Sequence, residues 1–378
     1  MRQLLEARNR ALSRDLEELI HALTSASIPR ELESYRDRIL SVCGQLRGTV
    51  NRNMTDLALG QSQILEDVLS NTQQVIQYVR LLSARLAAPI LRASPTDRLS
   101  LAAISWVHRE HAITASIPAA FVDGDCSMWP FVHIAPIYFF PCLEQRGLLY
   151  QPLYFHEFGH LLYVCHKQEM DDLVGELQRA IEDVLIPASQ RNDRHTDVQA
   201  AHRQIVVDTW YRWAQEFFCD AVGLTIGGPC FLLAFSGYLG TMQQGDFYRQ
   251  PADLQYSTHP VPWLRIRLLA ERARTAGFAD LAQEVERDRG VIAHTMGVSE
   301  DYHGFYDQAL SAVLTRTIDD MLIEAGPRVC SRSEAAGEEG SSESPTLVSL
   351  LNQAWSRYQG NPAAYSEWEA EAVQQLLG

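Results

Sequence analysis

Two histidines four residues apart lie in an almost unbroken apolar run, Tyr154-Phe155-His156-Glu157-Phe158-Gly159-His160-Leu161-Leu162. Such a run belongs in a core, and a core tolerates imidazoles and a carboxylate only if they have partners. On a helix, residues four apart lie about 40° apart around the axis, one turn on. His156 and His160 then present their rings to one point, as a zinc ion requires. Glu157 sits beside them, where a carboxylate can take a proton from water at that point. Gly159 gives up as much as about 1 kcal/mol of helix propensity relative to alanine, so the spacing predicts close packing of this helix on a neighbour. Phe155, Phe158 and, further on, Trp213 are expected in the core.

Composition bounds the rest. The 378 residues are enough for one large core or two ordinary ones. A formal charge of −15 argues against a nucleic-acid binder. The 7 cysteines are scattered and odd in number, which reads as reduced thiols in a cytoplasmic protein. The first residues, Met1 to Arg8, form a charged helical pattern rather than a signal peptide. No run reaches the roughly 18 apolar residues of a membrane span. The nearest, Ala221 to Leu239, is interrupted by Gly227-Gly228-Pro229.

Residues 1–92 carry helical periodicity: Leu16, Ile20 and Leu23, then Ile39, Val42 and Leu46. They predict a helical hairpin or small bundle, with a long helix from about Thr55 to Ala87, that serves as scaffold or as an arm for a partner or for self-association. Ser94-Pro95-Thr96-Asp97 signals a boundary and the start of a helix to about His111. The runs 112–117 and 131–139 are β-prone, and they predict a small sheet upstream of the histidine helix. From Pro152 helices are expected at 152–166, 169–186, 196–226, 229–240, 262–276, 278–288 and 300–325. The segment 331–345 is almost without apolar residues and is expected to be disordered. Short helices follow at 347–358 and 364–377. The implied domains are 1–92, 93–328 and 347–378, with a linker at 329–346. The fold class is α+β, predominantly helical with a small sheet.

A catalytic zinc usually has three protein ligands and one open position. Glu216 and Asp220 are four apart in Trp213-Ala214-Gln215-Glu216-Phe217-Phe218-Cys219-Asp220, on one face of an otherwise apolar stretch. A carboxylate there can bind zinc, and the aspartate one turn on can hold a ligand histidine by its other ring nitrogen. His166 competes. It stands six residues after His160, but no glycine or proline breaks the helix between them, so it would point about 240° away. Cys219 is expected to be buried and inert. His108 and His111, and His195 and His202, are expected at the surface.

A third segment, Ser257-Thr258-His259-Pro260-Val261-Pro262-Trp263-Leu264-Arg265-Ile266, completes an ordered set. His-Glu-x-x-His, then Glu-x-x-x-Asp, then Ser-Thr-His-Pro-x4-Arg-Ile resembles the gluzincin metallopeptidases, and within them the HtpX-like and CAAX-prenyl-protease branch. The resemblance covers about residues 130–270. It implies a zincin-like core holding one zinc ion on His156, His160 and Glu216. Glu157 would be the general base in peptide-bond hydrolysis. It also suggests His259 as a donor to the developing oxyanion and Arg265 as a supporting positive charge, with Tyr256 a competing donor. Substrate peptides would add as a strand along the Phe131–Phe140 edge. Members of that branch carry membrane-spanning helices, and this chain shows no such run, so a relative without membrane spans is expected.

The leading expectation is therefore a zinc endopeptidase acting on a protein or peptide. The helical segment from Lys167 to Trp210 would be a possible lid. The alternative is a regulatory or interaction protein built on the same core, with little or no catalysis.

Overall fold

The computed structural model describes residues 1–59, 64–141, 144–185, 197–241, 251–298, 300–338 and 346–378. The protein is predominantly α-helical with a small three-stranded sheet. Its backbone forms two compact units, which part between Arg146 and Gly147.

The first unit begins with α1 (Arg2–Ser25), α2 (Glu33–Leu59) and α3 (Leu65–Leu81), the last running into a π-helical turn at Leu82–Leu86. Each of the three packs on the other two, so the arm is a three-helix bundle. The single long helix expected from Thr55 to Ala87 is not formed, because Thr55 belongs to α2. Residues 60–63 lie outside the described residues. At one end Leu5, Leu57 and Val68 share a buried cluster. Further along, Asn9, Asn53 and Thr72 are buried and satisfy one another. Asn9 Nδ2 donates to Thr72 Oγ1 at 2.9 Å, and Asn53 Nδ2 donates to Asn9 Oδ1 at 3.1 Å. A closed polar set of this kind fixes which helical turns face each other.

After the short α4 (Ala88–Leu91), Ser94 and Asp97 form a reciprocal capping box ahead of α5 (Arg98–Arg109). The sheet follows. Strand β1 (Ala120–Asp123) pairs parallel with β3 (Ile137–Phe140), and β2 (Ser127–Trp129) pairs antiparallel with it. The order β1-β3-β2 puts β3 in the middle. The β-prone run 131–139 is therefore a turn followed by a central strand, and both edges of that strand are occupied. A peptide cannot add along it as expected, and the outer strands are β1 and β2. The run 112–117 is a series of turns. His108 and His111, expected at the surface, are buried at 3% and 5% exposure. The His108 ring lies between Ile117 O (Nδ1, 3.1 Å) and Tyr138 OH (Nε2, 2.9 Å).

The second unit is built on two packed neighbours, α6 (Tyr154–Cys165) and the long α8 (Asp197–Gly227), with α7 (Lys167–Leu185) beside α8. Gly228 at φ 61 turns the chain from α8 into α9 (Pro229–Gly240), and Pro229 opens the new helix. This is the break foreseen in the run Ala221–Leu239, and no helix among the described residues is long and apolar enough to cross a membrane. The longer helices that follow among the described residues are α10 (Pro262–Thr275), α11 (Ala279–Met296), α12 (Ser311–Ala325), α13 (Leu347–Gly360) and α14 (Pro362–Leu377). The helix expected over 300–325 starts only at Ser311. Ahead of it, Tyr302 to Phe305 make a turn in which His303 and Gly304 take positive φ.

Segment 331–338 is ordered, contrary to expectation, and 339–345 lies outside the described residues. Its low apolar content is offset by polar anchoring. Ser331 and Glu334 form a capping box, Glu334 binds Arg328 and Thr346, and Cys330 N donates to Thr225 O at 2.8 Å.

Candidate metal centre

Helices α6 and α8 cross where a Cβ on Gly159 would meet the Cys219 backbone Cα at 2.8 Å. Only glycine lets the axes come this close, which is the close packing the sequence predicts. The approach sets His156 and His160, one turn apart on α6, against Glu216 and Asp220, one turn apart on α8. Phe155, Phe158 and Trp213 are fully buried around them.

Both imidazoles turn Nε2 toward one carboxylate. His156 Nε2 is 3.5 Å from Glu216 Oε2, and His160 Nε2 is 3.5 Å from Glu216 Oε1. These separations are long for hydrogen bonds. They are close to the roughly 3.4 Å that separates two N or O ligands around a tetrahedral zinc with bonds of about 2.1 Å. Glu216 Oε2 is buried and makes no hydrogen bond, although Arg265 Nη2 stands 3.2 Å away as an ion-pair partner. A buried acceptor in that condition fits a cation.

The other ring nitrogen of His156 is held from behind, with Nδ1 2.9 Å from Asp220 Oδ1. Arg265 grips Asp220 with two hydrogen bonds, Nε to Oδ2 at 2.9 Å and Nη2 to Oδ1 at 2.7 Å. It is 6% exposed, and its guanidinium lies over the Phe235 ring at 4.7 Å. Phe235 also stacks on His156 at 5.8 Å. Burial alone would raise the carboxyls of Glu216 and Asp220. The Arg265 charge and the His156 contacts hold both below their ordinary range, Glu216 well below it. Burial would lower the His156 ring, but its contacts with Asp220 and Glu216 bring it up to about 9. A cation taken up at Nε2 therefore displaces a proton.

His156, His160 and Cys219 could hold a metal ion, since one donor atom of each lies within 4.8 Å of the others. Glu216 offers the closer fit. Its two oxygens each face an Nε2, whereas Cys219 is packed into the helix crossing, its Sγ 3.1 Å from the position of a Gly159 Cβ. Burial raises the Cys219 thiol well above its ordinary range, and the charges of Glu216, Asp220 and Glu157 add to this. The residue is buried, as expected, yet its sulfur lies nearer the donors than an inert core position would require.

The third segment joins the site only in part. His259 Nε2 is 3.6 Å from Glu216 Oε1, and Nδ1 is 2.9 Å from Thr258 Oγ1. The His259 side chain is 55% exposed, so it stands at the mouth. Arg265, suggested as a supporting positive charge, is buried and committed to the acid pair. Tyr256 is 80% exposed. Glu157 is buried next to His156 on α6 and lies near enough to bear on the Cys219 thiol. His166 caps the end of α6 and pairs with Glu324 at 3.4 Å, so it takes no part. Of the other histidine pair, His202 is exposed, as expected, and His195 lies outside the described residues.

Two residues of the site escape the sequence reading. Arg212 Nη2 donates to Gln255 O at 2.6 Å and so ties the His259 segment to α8. A signal for it exists, because Arg212, Glu216 and Asp220 recur every four residues on one helix face. Phe235 has no such signal, since only the α8–α9 turn brings it under Arg265.

Comparison of the chain with protein-family models, with curated proteins and with solved structures finds no match.

Proposed function

We propose that the protein is a zinc-dependent metallopeptidase, with zinc held by His156, His160 and Glu216. The observation that carries this reading is the placement of two Nε2 atoms at 3.5 Å from the two oxygens of one buried carboxylate. The ordered resemblance to the gluzincins, residue for residue at His156, Glu157, His160, Glu216, Asp220, His259 and Arg265, supports it.

When bound, zinc acts as a Lewis acid on a carbonyl and lowers the pKa of water toward about 7. The chain's own residues do the rest. Asp220 fixes the His156 ring and its tautomer, and Arg265 keeps Asp220 and Glu216 ionised side by side. Glu157 accepts the proton of the attacking water and passes it to the leaving amine. His259 stands at the exposed mouth, where an N–H can be offered to a developing oxyanion. Arg212 holds the backbone that carries it.

The test is Glu157→Gln with zinc content and cleavage of a proteome-derived peptide library read together. Retained zinc with cleavage abolished is the expected result. Cleavage at the wild-type rate overturns the mechanism. Zinc binding by the wild type without cleavage of any peptide would favour the interaction protein on a metallopeptidase core.

A further inference from the structure

Behind the candidate metal centre, α8, α10 and α12 line a half-open cavity of about 910 Å³. Much of its wall is apolar: Ala221 and Leu224 from α8, Leu269 from α10, Leu314 and Ile318 from α12, and Phe278 beyond the end of α10. Asp220 lies at the inner wall, but its carboxylate is already engaged by Arg265 and His156. Glu271 also lines the cavity, and its carboxylate pairs with Arg267 at 3.8 Å and accepts a hydrogen bond from Ser311 Oγ at 3.3 Å, so neither acid is uncommitted. The segment 329–336 closes one side and is anchored there by the Cys330–Thr225 backbone bond and the Ser331–Glu334 capping box.

The rim is different. Arg272 is paired with Asp319 at 2.7 Å. Arg332, exposed on the turn Arg332–Ala335, has no ion-pair partner among the described residues. A cavity of this size lies at the upper end of the range of about 300–1,000 Å³ for small-molecule sites. A half-open, largely apolar cavity with a single uncommitted cation among its lining residues suits a molecule with an apolar body and an anionic head.

We infer that the α8–α10–α12 cavity is a binding site for a single-chain amphipathic acid of the long-chain fatty acid type. The chain lies between Leu224, Leu269 and Leu314, and the carboxylate meets Arg332. This site does not depend on the peptidase reading, because none of its contacts requires zinc.

The experiment is a titration of the full chain with cis-parinaric acid, a fluorescent polyene acid, followed by displacement with palmitic acid or with hexadecanol. Saturable binding is expected, with the acid displacing the probe about tenfold better than the alcohol. Thr275→Trp and Thr315→Trp replace cavity-lining residues at exposed helix positions, and each should weaken binding about tenfold or more by filling the space. Arg332→Gln, on an exposed turn, should leave the alcohol unchanged and remove the advantage of the acid. Thermal unfolding of each variant confirms that it is folded. The absence of saturable binding, or unchanged binding in both tryptophan variants, overturns the site. Equal displacement by acid and alcohol in the wild type overturns the assignment of an acidic ligand. Self-association of the wild type that the tryptophan variants abolish would mean that a second copy fills the cavity.

Discussion

Asp220 Oδ1 lies 2.9 Å from His156 Nδ1, so a carboxylate on α8 sets which nitrogen of a ring on α6 faces the candidate metal position. The same oxygen is 2.7 Å from Arg265 Nη2. One acid thus links three helices, α6, α8 and α10, through a ring, a carboxylate and a guanidinium.

Arg265→Gln should be among the most destabilising polar substitutions in the second unit. It leaves Glu216 and Asp220 buried side by side without their cation, which typically costs about 3–5 kcal/mol. Urea unfolding monitored by tryptophan fluorescence measures this. A loss below about 1 kcal/mol would mean that the acids find another partner.

Gly159→Ala should destabilise although alanine is the better helix former. The new methyl meets a backbone atom, Cys219 Cα, at 2.8 Å, and the two helices must separate. Overpacking of this kind costs about 1–3 kcal/mol, against a propensity gain of at most about 1 kcal/mol. Adding Cys219→Ala removes the sulfur but not the clash, so the double variant should recover little in a thermal melt.

Metal content separates the two candidate donors. The wild type purified without added metal should carry about one zinc per chain. Glu216→Ala should lose most of it, and Cys219→Ala should keep it, as read by inductively coupled plasma mass spectrometry on proteins dialysed side by side. The reverse pattern would move the third ligand to sulfur.

The first unit should lose stability in mild acid through His108. Burial pushes this ring down to about 4. An unfolded histidine titrates near 6.5, so below that pH the unfolded chain binds a proton that the folded one refuses. The contribution is intact above about pH 6.5 and is lost as the pH falls toward 4, at a total on the order of 3 kcal/mol. Chemical denaturation at a series of pH values shows it as a slope, and His108→Gln should flatten that slope.

Much of the candidate site was legible because its parts are local. The spacings of His156 with His160 and of Glu216 with Asp220 define faces of single helices, and helical geometry follows from neighbours in the chain. The break at Gly227-Gly228-Pro229 and the helix start at Ser94-Pro95-Thr96-Asp97 were legible for the same reason. Cues that report composition rather than partners misled. The polar stretch after Val329 was expected to be disordered because its anchors, Arg328, Thr225 and Thr346, are not a periodic pattern. The β-prone run 131–139 signalled a strand without showing that two others would flank it.

The sequence by itself therefore determined a predominantly helical chain with two pairs of chemically active side chains, each pair on one helix face. Only the tertiary structure decided that the two faces meet. That depends on the crossing of α6 and α8 at Gly159 and Cys219, which sets both Nε2 atoms 3.5 Å from one carboxylate. It also decided that Arg265 pairs with the two acids, that Phe235 lies beneath it, and that His108 is buried. Each of these is a contact between residues distant in the chain, chosen by how whole faces pack and not by the periodicity of any one segment.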